Sequence, residues 1–307
     1  MNMNEPSHFT DSSLRGVSLH QVAMSKHTSW RAGGVADRLY QPVDLADLQN
    51  FLRSLPADEP LYAVGLGSNL LVRDGGLCGT VVLLHGALKE LRMTEGGAVY
   101  VEAGVPGAKL ARYAANHDMQ GAAFFAGIPG TLGGMLAMNA GCYGSETWQH
   151  VDEVQVLTRS GELLSRTIAD YEIGYRHVEP QGKEEIFVSA TLRFNKGDGE
   201  VERQAIKELL SKRIASQPLS LPNAGSVFRN PPNDHAARLI EACGLKGKRI
   251  GGAQVSEKHA NFIVNTGGAT AADIEGLINE VRATVAAQTG VDMHPEVRII
   301  GEYKQNE

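Results

Sequence analysis

Apolar and polar positions along this chain recur with two different periods, and the changes of period mark its elements. ADRLYQPV alternates as a short strand. Asp44 is then a natural N-cap, and Leu45, Leu48, Leu52 and Leu55 share one helical face that ends before Pro56. LYAVGLGSNLLV reads as an apolar strand, a glycine turn and a second apolar strand, and GTVVLL and AVYVEAG continue the strand pattern. A helix is expected from Pro106, a proline suited to a first turn, through Leu110, Ala114 and His117. VDEVQVLT and ELLSRTI alternate around Ser160-Gly161 as a hairpin, and IADYEIGYRHV leads into a further strand, EIFVSATLRF. Asp198 to Gln217 reads as a charged amphipathic helix in which Arg213 and Gln217, four apart, share a face. Pro218 and Pro222 force an extended loop. The last third alternates helix and strand: DHAARLIEACG, ANFIVN, a helix capped by Thr270 with Ile274, Leu277, Ile278, Val281 and Val285 inward, and VRIIGEY.

The pattern predicts an α+β protein. Residues 1–20 are expected as a polar tail. A Gly-rich, strand-rich domain spans 21–197, and a mixed α+β domain spans 198–307. The simplest division of labour puts a cofactor in the first domain and a substrate in the second.

Composition narrows the function. A chain of 307 residues with a net charge of -6 and no Lys/Arg run is not built for nucleic acid. Its best apolar run, Val81 to Leu84, is strand-sized, so no membrane association is expected. The N-terminus has no basic and apolar export signal, and three dispersed cysteines without a CxxC suit a reducing, cytoplasmic setting. With no HExxH, no GxSxG and no Cys/His cluster, neither a metal nor a common hydrolytic scheme is expected.

Ala126 to Gly144 packs six glycines and a proline among small apolar residues. Such density suits backbone N–H groups held against a bulky anionic ligand, and equally a crowded crossing of two elements. Gly65-Leu66-Gly67-Ser68-Asn69-Leu70 begins like a dinucleotide loop, but its third glycine is missing and a strand follows where a helix should start, which disfavours a Rossmann unit. It reads as a phosphate-binding turn or as a plain hairpin connection. Ser226, Tyr175-Arg176 and Glu296 sit in loops where each has a bland reading as a turn or solvated residue.

In order, GLGSNLLV, AGIPGTLGGMLAMNAGCYG, YEIGYR, NAGSVFRNP, GGAQVSEKHANFIVN and HPEVRIIGE resemble the UDP-N-acetylenolpyruvoylglucosamine reductase family, from about Thr28 to Tyr303. The resemblance implies an FAD-binding fold of the vanillyl-alcohol oxidase type, with two α+β subdomains meeting near residue 90 and a third, substrate-binding domain. It implies non-covalent FAD, NADPH as reductant, a UDP-sugar substrate, and two substrates using one pocket in turn. Hydride would pass from NADPH to FAD and then to the enolpyruvyl group, giving UDP-N-acetylmuramate for peptidoglycan synthesis. Carried onto this chain, Gly65, Leu66, Gly67, Ser68, Asn69 and Leu70, with Gly127, Pro129, Gly130, Thr131, Gly133, Gly134, Asn139, Ala140 and Gly141, would hold the cofactor. Arg176 and Glu296 would stabilise charge on the substrate, and Ser226 would donate the proton. Tyr175, Arg213, Gln217 and Asn230 match substrate-binding positions, and Gln254, His259 and Asn261 are read as loop-ordering or substrate contacts.

Two departures stand out. His177 to Gly225 contains no tyrosine and reads as one strand and one helix, as in the shorter type of this reductase, which lacks a tyrosine-bearing lid loop. Val178 stands where a serine is expected. Another flavin oxidoreductase of the same fold would explain the glycine motifs but not Ser226 and Glu296. A nucleotide-sugar-binding regulator would not need those two with Arg176.

Overall fold

Strand β1 (Val17–Ala23) already departs from the expected tail, because residues 17–20 are strand. It is an edge strand with its first five residues exposed, so the alternation of Val17 and Leu19 with Ser18 and His20 marks no buried face. The structure, a computed structural model, describes residues 14–182 and 185–304; residues 1–13 of the expected tail lie outside them.

β1 pairs antiparallel with β2 (Val35–Gln41). The chain continues through helix α1 (Leu45–Ser54) to β3 (Leu61–Val64), β4 (Leu70–Val72) and β5 (Leu77–Leu83). Asp44 caps α1 as expected, accepting from the Asp47 backbone N–H at 2.9 Å. The first sheet runs β1-β2-β5-β3, with β5 parallel to both neighbours. β3 and β4 are therefore not a hairpin. The strand after the GLGSNL turn leaves the first sheet and pairs in parallel with a strand from the end of the chain.

The second sheet is built from β6 (Leu91–Met93), β7 (Val99–Glu102), β11 (Val151–Thr158), β12 (Leu163–Arg166) and β15 (Glu185–Leu192), in the order β12-β11-β15-β7-β6. Between β7 and β11 come α2 (Gly107–Asn116), β8 (Met119–Gln120), a 3-10 turn (Ala123–Gly127), α3 (Leu132–Ala137), β9 (Gly141–Cys142) and β10 (Ser145–Glu146). Pro106 is the N-cap of α2, one residue before the position expected for it. After β12, β13 (Tyr171–Gly174) and β14 (His177–Pro180) form a hairpin, and β16 (Asn195–Lys196) precedes α4 (Gly199–Ser216). His177 to Gly225 thus holds three strands and one helix, not one strand. β14 and β16 are short, and only β15 carries a long apolar run.

Helix α4 packs on α2 and on the 3-10 turn, and Ile206 shares an apolar cluster with Leu110, Phe125 and Leu192. Its buried Glu202 accepts from the Ala123 N–H at 2.5 Å and the Gly121 N–H at 3.3 Å. We therefore place the division between the domains after α4, near Pro218, and not at residue 197, where composition changes.

The remaining chain contains α5 (Ala236–Ala242), β17 (Arg249–Ile250), β18 (Ala253–Val255), β19 (Ile263–Asn265), α6 (Ala271–Thr289) and β20 (Arg298–Ile300). The five expected residues of α6 are all buried, and Thr270 caps it. Trp30 and Leu71 belong to the same cluster as that helix. The Trp30 indole donates to Ile263 O at 2.8 Å, Asp74 accepts from Ala271 and Ala272 N–H at the start of α6, and β20 pairs with β4. The last domain is thus bound to the first subdomain along a continuous seam.

Glu202→Ala leaves two backbone donors of the 3-10 turn without their acceptor. It is expected to cost about 1–3 kcal/mol in urea unfolding of the flavin-free protein; an unchanged midpoint would show that the carboxylate does not hold this turn.

Candidate active site

The two glycine-containing segments face one another. A Cβ at Gly65 would run into the Thr131 hydroxyl, and one at Gly130 would lie 3.5 Å from the Ser68 hydroxyl. Gly67 takes φ 60° and its Cα lies against His27 O, so a side chain there is excluded twice over. Among the described residues, the backbone N–H groups of Leu66, Gly67, Ser68 and Asn69 donate to no protein acceptor. Consecutive free donors opposite a small-residue wall make a cradle for a diphosphate, so the residues present fit FAD.

The cofactor-side residues separate into two groups. Gly127, Pro129, Gly130 and Gly134 are at least partly exposed, and a Cβ at Gly134 would meet nothing within 4 Å. Gly133 instead presses on Ala103, to whose carbonyl its N–H donates at 2.9 Å, and so serves packing. Asn139 and Ala140 are buried. The Asn139 amide donates to Glu146 at 2.8 Å and to Gly174 O at 3.2 Å, while its carbonyl accepts from Trp148 N–H at 3.1 Å. Asn139 therefore holds the β13–β14 hairpin from behind.

That hairpin has two loop residues, Tyr175 and Arg176, because Gly174 pairs with His177. Arg176 takes φ 55°, an uncommon conformation for a side-chain-bearing residue. Its Nη2 donates to Gly141 O at 2.8 Å and its Nε lies 3.2 Å from Glu296 Oε1. The Nε–H does not point along that line, so it is a buried donor without a hydrogen bond. Tyr175 is half exposed beside it. Val178, where a hydroxyl was expected, pairs with Ile173 and packs on the apolar cluster of the second subdomain.

Glu296 reaches this point from the C-terminal domain. The Asn69 amide donates to its carbonyl at 3.1 Å, and its N–H donates to Val227 O at 2.7 Å. Burial raises the pKa of its carboxyl, opposed by the charges of Arg176 and Arg229.

The Val227 link brings in Ser226. Val227 N–H donates to Asn261 O at 2.8 Å, and the Asn261 side chain brackets Phe228, accepting from its N–H at 3.0 Å and donating to its carbonyl at 2.8 Å. Gly225 N–H donates to the Asn223 side chain at 3.0 Å. Ser226 is thus clamped on both sides, and among the described residues its hydroxyl has no hydrogen-bond partner. Asn261 is buried, and both ends of its amide are used in this clamp, as a loop-ordering residue would require. His259, lowered in pKa by burial, accepts from the Asn261 N–H at 3.3 Å and supports the same turn.

The other expected contacts lie around this centre. Arg213 Nε donates to Gln217 Oε1 at 2.9 Å, as their spacing implied. Burial lowers the Arg213 pKa, and the Tyr143 hydroxyl at the end of the glycine segment donates to Leu209 O, one turn earlier on α4, at 3.4 Å. Gln217 and Gln254 line a cavity of about 370 Å³ with Ser256 and Lys258. Asn230 is exposed and accepts from Ala236 N–H at 3.1 Å at the start of α5. A larger cavity of about 710 Å³, lined by Arg53, Arg159 and Arg166, contains none of the expected site residues. Sequence reasoning missed Arg229, whose charge acts on Glu296, because a lone arginine in a loop has no spacing to mark it.

Comparison with known proteins bears directly on this arrangement. Residues 36–166 match the FAD binding domain, and residues 217–300 match the C-terminal domain of UDP-N-acetylenolpyruvoylglucosamine reductase. The chain is 57% identical to a UDP-N-acetylenolpyruvoylglucosamine reductase from Thiobacillus denitrificans, covering 94% of each chain. It belongs to the UDP-N-acetylenolpyruvoylglucosamine reductase family. The reductase from Methylococcus capsulatus is 55% identical over 98% of this chain and 99% of its own. The crystal structure of the reductase from Thermus caldophilus superposes with a TM-score of 0.76 at 29% identity, covering 93% of this chain and 99% of that one. Family and fold agree with the expected FAD-dependent oxidoreductase of the two-subdomain type. The C-terminal match begins at residue 217, where α4 has just ended.

The Cβ of a Gly130→Val side chain would meet only the Ser68 hydroxyl, at 3.5 Å, and its two methyls would narrow the gap between the facing loops. It is expected to leave the flavin-free protein as stable as the parent while FAD uptake, read from visible absorbance, is largely lost. Full flavin content would place the cofactor elsewhere.

Proposed function

We propose that this chain catalyses the NADPH-dependent reduction of UDP-N-acetylenolpyruvoylglucosamine to UDP-N-acetylmuramate in peptidoglycan precursor synthesis, with Ser226 as proton donor. The observation that carries this reading is the contact of Arg176 with Glu296 beside the Asn69 end of the cofactor cradle, with Ser226 next in sequence to Val227, whose carbonyl accepts from the Glu296 N–H.

FAD held by the 65–70 turn and the facing glycine segment would supply the hydride, drawn from NADPH, that adds to the terminal carbon of the enolpyruvyl group. Addition there leaves an electron pair on the neighbouring carbon and, by conjugation, on the carboxylate. The charge needs partners already in place. Arg176 offers a buried Nε–H that no protein acceptor uses. Glu296, raised in pKa by burial, can donate as an acid where an ordinary carboxylate would repel. Ser226 Oγ–H then transfers its proton to the carbon bearing the electron pair, forming a C–H bond, and solvent restores the hydroxyl. A hydroxyl is a weak acid, so the transfer depends on a strongly basic carbon held within hydrogen-bond reach. Arg213 supplies a positive charge for the diphosphate, and an anion would relieve its desolvation. Gln217 and Gln254 contribute amides for the nucleotide. The chemistry suits a soluble cytoplasmic enzyme; among the described residues no helix is long and apolar enough to cross a membrane.

Two measurements test the roles. Ser226→Ala is expected to keep flavin reduction by NADPH and to slow reoxidation by the enolpyruvyl substrate by about 10²–10⁴-fold; unaltered reoxidation removes Ser226 from the mechanism. Because the protonated form of Glu296 is the active one, reoxidation should be fast below its raised pKa and fall as pH rises through it. A rate that rises with pH across that range would assign Glu296 the opposite role.

A further inference from the structure

We infer that Arg229 receives the carboxylate of the enolpyruvyl group, as a second guanidinium beside Glu296; the inference rests on the reductase reading above. Residues 227–229 lie antiparallel to residues 294–296. Phe228 bridges Pro295, Arg229 N–H donates to His294 O at 2.9 Å, and Glu296 N–H donates to Val227 O at 2.7 Å. In this register Arg229 and Glu296 are diagonal neighbours on one face, a spacing that long side chains span.

Arg229 is a half-buried guanidinium that forms no hydrogen bond or ion pair among the described residues, and its Nε is sealed from solvent without an acceptor. The other arginine at this point has its Nη2 on Gly141 O and only its Nε–H, beside Glu296, left without an acceptor. A substrate carboxylate arriving here brings a full negative charge into a buried place where Glu296 acts as an uncharged acid, and the single free Nε–H of Arg176 cannot make the two-pronged contact a carboxylate accepts. Arg229 supplies the missing cation, in the planar fork that matches a carboxylate. The charge it exerts on Glu296 agrees with this placement. Arg213 lies in the last turn of α4, one turn beyond the Leu209 carbonyl that accepts from Tyr143, which leaves it for the diphosphate.

The test compares two ligands that do not turn over, titrated calorimetrically into the oxidised holoenzyme. UDP-N-acetylmuramate carries the carboxylate, and UDP-N-acetylglucosamine has the same nucleotide and diphosphate without it. Arg229→Gln is expected to weaken the first by about 10- to 100-fold and to leave the second unchanged, with Arg229→Lys in between. Flavin content equal to the parent shows that each variant is folded. Equal losses for both ligands would move Arg229 to the diphosphate, and no loss for either would remove it from the site; both overturn the inference. Failure of the underlying reading looks different, since the parent enzyme itself would then not be reoxidised by the enolpyruvyl substrate.

Discussion

The contact between Arg176 and Glu296 is the constraint on which the site depends. The two side chains are 19% and 10% exposed, so each has lost most of its water, and neither can be removed without stranding the other. They come from different domains and are placed by backbone. Arg176 is held through Gly141 O and through Asn139, which fixes the start of its hairpin loop. Glu296 is held through Asn69 and Val227. The glycine segment, the GLGSNL turn, the Ser226 loop and the last strand all end within reach of one ion pair.

Helix α4 extends this organisation to both ends of the ligand cleft. Its 18 residues span about 27 Å. Near its start, Glu202 fixes the turn that leads into the glycine segment, and one turn before Arg213 its Leu209 carbonyl accepts from Tyr143 at the end of that segment. Lys258 from the C-terminal domain donates to Ile214 O at 2.6 Å, so the same helix also meets the domain that carries Ser226. The strained φ of Arg176 fits this picture, because a residue held from two sides can keep an unfavourable backbone that a free loop would relax.

Long, strongly patterned elements were legible in the sequence. Helices α1 and α6, the β11–β12 hairpin and the pairing of Arg213 with Gln217 follow from periodicity and caps alone. Strand β1 was hidden because an edge strand has no buried face to alternate with, and α3 because LGGMLA is read as part of a glycine run. The destination of β4 was hidden for another reason: parallel pairing with residues more than two hundred positions later leaves no local mark. Of the site, ordered motifs named Arg176, Ser226 and Glu296 together. Only the fold revealed that Asn261 clamps the Ser226 loop and that, among the described residues, the Arg229 Nε has no acceptor.

The pairing of β20 with β4 has a consequence for how the enzyme comes into being. Strand β4 sits immediately after the cofactor loop, yet its partner is made only when residues 298–300 have been synthesised. Asn69 likewise waits for Glu296 and Arg298. A chain that has completed every other part of the first domain still lacks the strand that flanks the cradle until residues 296–300 have been added, so the backbone that carries Asn69 is set by one of the longest-range pairings in the fold.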